Sequence, residues 1–64
     1  MTPSHKALNI PGLEAVYDAL ASAIDEAGAE KSELFLVKLA LLNANALGNA
    51  ERFQQHLQIA LQDL

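Results

Sequence analysis

"LFLVKLALLNANALGN", residues 34–49, decides how this chain is read. The stretch is apolar on almost every side of a helical wheel, yet two asparagines, Asn43 and Asn45, are set into it. At about 100° per residue, Lys31, Lys38 and Asn45 fall on one narrow polar stripe. Phe35, Leu36, Leu39, Leu42, Ala46 and Leu47 make one broad apolar face, and Leu34, Val37, Leu41 and Ala44 make a second that flanks the polar stripe on its other side. A single apolar face is enough to cover amphipathic helices of the same chain. A helix apolar on both sides of a thin polar seam belongs inside something larger. The expected helix runs from about Glu30 to Leu47, with Glu30 and Glu33 where the positive end of the helix dipole favours acidic groups.

On either side the pattern is more ordinary. Leu13, Val16, Tyr17, Leu20, Ile24 and Ala27 recur at the spacing of one helical face, opposite Glu14, Asp18, Ser22, Asp25 and Glu26. Pro11 suits the first turn of that helix, and Gly28 suits a left-handed cap at its end. Residues 1–10 show no helical period and are expected to form a loosely ordered arm, with one three-helix domain over 11–64. Downstream, Gly48 closes the central helix and Asn49 is placed to cap the next. That third helix reads "AERFQQHLQIALQDL", with Phe53, Leu57, Ala60, Leu61 and Leu64 on its apolar face and glutamines over most of the rest. Ile59 lies apart from that face, among the glutamines. Both connections are short, so consecutive helices should pack as neighbours.

A chain of 64 residues is below the size at which one core comfortably outweighs chain entropy. It contains no cysteine, which excludes disulfides, thiolate metal sites and a thiol nucleophile, and leaves association with another chain as the available staple. The apolar fraction of 52% argues against disorder, and few glycines and prolines leave little material for hairpins. A net charge of −4 offers no footprint for nucleic acid or an anionic membrane. The start resembles no signal peptide and no run is long enough to span a bilayer, so the expectation is a soluble cytoplasmic protein.

No constellation of catalytic residues stands out. Glu14, Asp18 and Asp25 share a face, but the Glu-x-x-His partners of carboxylate metal sites in helical bundles are missing, and the face reads as solvated surface. His5 and His56 have no carboxylate or serine at a useful spacing. A helix-turn-helix reading of "ALGNAERFQQHLQ" fails on charge, because its recognition face would carry only Arg52 as a cation. The sequence therefore predicts no enzyme, no cofactor and no metal.

Two pieces, "VYDALASA" at Val16 to Ala23 and "LVKLALLNANALGN" at Leu36 to Asn49, resemble the short bacterial proteins grouped as domain of unknown function 2783. Matching positions are Tyr17, Asp18, Ala19 and Leu20, then Lys38, Leu39, Leu41, Leu42, Ala44, Asn45 and Gly48. The chain departs from that pattern at Asn43, where the family is apolar, and at Ala46, where the family has histidine. The resemblance implies a small helical domain and supplies no activity to carry over.

The expected architecture is thus all-α: a three-helix, up-down domain that forms a dimer with its central helix at the interface. Leu34, Val37, Leu41 and Ala44 are the expected contact. Asn43 joins them as a candidate interface residue, because an unpaired amide projecting into an apolar face costs about 1–3 kcal/mol. A facing asparagine across a two-fold axis would satisfy it and fix register, as in coiled coils; a backbone or water partner would also serve. The expected role is a non-catalytic, self-associating helical module. The alternative is a small accessory subunit that lays the same face on a larger, unidentified protein partner.

Overall fold

A computed structural model of the protein describes residues 7–64, so the expected loose arm lies outside the described residues over 1–6. Among the described residues the chain is all-α, with α1 over Ile10–Ala27, α2 over Ser32–Leu47 and α3 over Ala50–Leu61.

The start of α1 is set by Asn9. Its side-chain oxygen accepts the Gly12 N–H at 2.7 Å, and its carbonyl accepts the Leu13 N–H at 2.9 Å. A first-turn donor that would otherwise be orphaned is thereby satisfied, and Pro11, in the same turn, has no N–H to leave unpaired. Asn9 and Ile10, assigned to the arm by sequence because the apolar period begins only at Leu13, are the cap and first residue of the helix.

At the other end the Gly28 N–H donates to the Ile24 carbonyl at 3.1 Å. Gly28 has the positive φ expected of it, 83°, but with ψ 160° it is extended rather than left-handed helical. That region of backbone space is essentially closed to residues with a side chain. Its carbonyl then accepts two bonds, from the Lys31 N–H at 3.1 Å and the Ser32 hydroxyl at 2.8 Å. This double acceptor holds residues 29–31 as a turn, so α2 begins at Ser32 and not at Glu30. Glu33 keeps its place in the first helical turn, whereas Lys31 precedes the helix. The polar stripe within α2 therefore reduces to Lys38 and Asn45.

Gly48, at φ 72°, ends α2 and donates to the Ala44 carbonyl at 3.0 Å. Asn49 caps α3 as expected: extended at φ −152° and ψ 106°, it accepts the Arg52 N–H on its side chain at 2.9 Å. α3 stops at Leu61, where the Gln62 N–H turns back to the Ile59 carbonyl at 3.2 Å and Asp63 takes a positive φ of 58°. Leu64 is therefore not on the apolar face of α3; it lies beyond the helix and is 95% exposed.

The chain divides into two units, one ending at Ser32 and the other spanning Glu33–Leu64. No described residue is fully buried. In the first unit Leu20, Ala23, Ile24 and Ala27 are half-buried, while Leu13, Val16 and Tyr17, on the N-terminal half of α1, are exposed. In the second unit the half-buried residues are Phe35, Leu39, Ala40 and Ala44 of α2 and Phe53 of α3. No described helix is long and apolar enough to cross a membrane.

Candidate interaction surface

α2 presents two different sides. Phe35, Leu39 and Ala40 lie within one half of its circumference and are half-buried. Around the helix from them Leu34, Val37 and Leu41 are 59%, 49% and 64% exposed. These three recur at i, i+3 and i+7, the spacing that keeps side chains on one line along a helix. Ala44 continues the line by a further turn and is half-buried. Four of the five residues singled out from the sequence thus form one continuous apolar stripe. Its flanks carry charge: Glu33 on one side and Lys38 on the other, both exposed.

Asn43 does not join them. At about 100° per residue it projects from the opposite side of α2 to Leu41, and it is exposed. Within the chain its amide is open to solvent and has no need of a buried hydrogen-bond partner. No polar side-chain atom among the buried or half-buried described residues lacks a partner. Leu42 supplies an apolar surface that the wheel had assigned to the broad covered face; it is 68% exposed, across the Lys38 stripe from Leu41. Helical periodicity gives the angle of a side chain about its axis but not which angles a neighbour covers, so this difference had no signal in the sequence. Ile59 is likewise exposed, on the glutamine side of α3.

Polar chemistry is sparse. Among the described residues no three histidine, cysteine or acidic side chains gather where they would hold a metal ion. His56 is exposed on α3, and His5 lies outside the described residues. A shallow polar depression at the start of α3 is lined by Asn49, Glu51, Arg52 and Gln55. The Asn49 side chain is already engaged by the Arg52 N–H, and the single guanidinium has a carboxylate beside it in sequence. No family model, curated protein or solved structure matches the chain.

Proposed function

We propose that the protein is a non-catalytic helical module that self-associates through α2, with Leu34, Val37, Leu41 and Ala44 at the contact. The exposure of Leu34, Val37 and Leu41 along one line of the most apolar helix carries this reading. Covering a leucine or valine side chain is worth about 1.5–3 kcal/mol when burial is complete. A second copy would remove this stripe from water twice over, once on each chain.

Sedimentation equilibrium over a wide concentration range tests the reading. The wild-type chain should sediment as a dimer or higher species, and Leu41→Glu as a monomer of unchanged helix content by circular dichroism. A monomeric wild type, or a Leu41→Glu variant of unchanged mass, would overturn it.

A second reading has its own support in α1, where Leu13, Val16 and Tyr17 are also exposed, beside Glu14 and Asp18. An accessory subunit would lay the α2 stripe on a larger protein, with the acidic residues of α1 guiding the approach. It requires an isolated chain that aggregates or is partly molten and a partner that purifies with it.

A further inference from the structure

The charged flanks of the α2 stripe specify an orientation for the self-association proposed above, on which this inference rests. Leu34, Val37, Leu41 and Ala44 are spaced by three, four and three residues, which makes them successive a, d, a and d positions of a heptad. Glu33 and Ala40 then occupy g positions, and Lys38 and Asn45 occupy e positions. When two helices pair in parallel and in register, a g residue of one lies beside the e residue five positions further along the other. Glu33 and Lys38 have that separation, and both are exposed. In an antiparallel pair with Leu34 facing Ala44, e meets e and g meets g, which would set Lys38 near Lys38 and leave Glu33 beside Leu47 with no charged partner.

We infer that two copies of the chain pair through α2 in parallel and in register, Glu33 of each copy beside Lys38 of the other. The two-fold axis runs along the helices, so the pair of opposite charges occurs twice. Asn45 at the remaining e position faces Ala40 of the second copy, a small residue that neither attracts nor repels it. The apolar stripe supplies the affinity, and the flanking charges reject the antiparallel alternative.

The chain has no cysteine of its own, so single cysteines report the orientation directly. Under mild oxidation Leu34→Cys alone should form a disulfide-linked dimer, because an a position faces its own copy in the parallel pair. In an antiparallel pair position 34 faces position 44, so only a mixture of Leu34→Cys with Ala44→Cys would link. Charge variants provide a second measurement that leaves the stripe intact. Lys38→Glu should weaken association about tenfold at low salt, the scale of two exposed ion pairs turned into repulsions. The double variant Glu33→Lys/Lys38→Glu should restore it. An antiparallel pair would exchange one like-charge contact for another, and Lys38→Glu would then leave association unchanged. Cross-linking confined to the 34/44 mixture, or association indifferent to Lys38→Glu, would overturn the parallel arrangement while leaving self-association standing. A monomeric wild type would overturn both.

Discussion

α2 and α3 belong to the same unit and solve different problems. α3 sets Gln54, Gln55 and Gln58 against the apolar line of Phe53, Leu57, Ala60 and Leu61, of which only Phe53 is half-buried, Leu57 and Leu61 being 45% and 59% exposed. α2 has the greater share of apolar residues but spreads them around its circumference, leaving Leu34, Val37 and Leu41 in water on one side and Leu42 on the other. The contrast separates forming a helix from covering one. Formation is local, and the capping side chains and positive-φ glycines at the helix ends account for it. Coverage depends on what lies against the helix, and it is partial on both: α3 leaves one apolar line in water, whereas α2 leaves apolar side chains in water on more than one side.

The largest effect within this unit should follow from removing the half-buried ring of α3. Phe53→Ala deletes the one half-buried side chain of that helix, and we expect a loss of about 2 kcal/mol in urea denaturation at fixed protein concentration. That is below the loss for a fully buried phenylalanine, because part of the ring is already in water. A loss under about 0.5 kcal/mol would show that α3 is as poorly covered as the exposed side of α2.

The beginning of α2 is the next place to press. Gly28→Ala forces a side chain into backbone space at φ 83° and ψ 160°, at a cost of about 1–3 kcal/mol. The expected readout is a lower thermal midpoint together with faster amide exchange at Lys31, whose N–H donates to the Gly28 carbonyl. Unchanged exchange there would mean that the turn tolerates another backbone path. A smaller effect belongs to the cap of α3. Asn49→Ala removes the acceptor of the Arg52 N–H and should cost about 1 kcal/mol, whereas Asn49→Asp should retain most of the stability.

These local features were largely legible in the sequence. Pro11 in the first turn, Gly48 as a stop and Asn49 as a cap follow from the chemistry of proline, glycine and asparagine, which acts over a few bonds. Boundaries were less legible where a residue had two possible roles. Asn9 reads as loop until its side chain is seen to accept the Gly12 N–H, and Glu30 reads as a helix start until the Gly28 carbonyl takes both Lys31 and Ser32. The end of α3 carried no glycine or proline to announce it, so Leu64 was counted one turn too far. The apolar stripe was legible as a stripe. Its exposure was not, because the sequence fixes angles around an axis and leaves cover to the neighbours.

Asn43 gives the smallest expected effect and a comparison decided by sign. An asparagine in a helix interior is less favourable than alanine by about 0.5 kcal/mol, since its side chain competes for backbone hydrogen bonds. If the Asn43 amide, exposed on the side of α2 away from Leu41, meets only water, Asn43→Ala should stabilise the protein by about that amount and leave its association unchanged. If the amide instead pairs with a second asparagine across a two-fold axis, the same substitution should destabilise by about 1 kcal/mol or more and alter the association state. Chemical denaturation combined with sedimentation of the single variant separates these outcomes. A gain in stability at constant mass assigns the contact to the Leu34, Val37 and Leu41 side alone, and a loss would move the interface to the opposite face of the same helix.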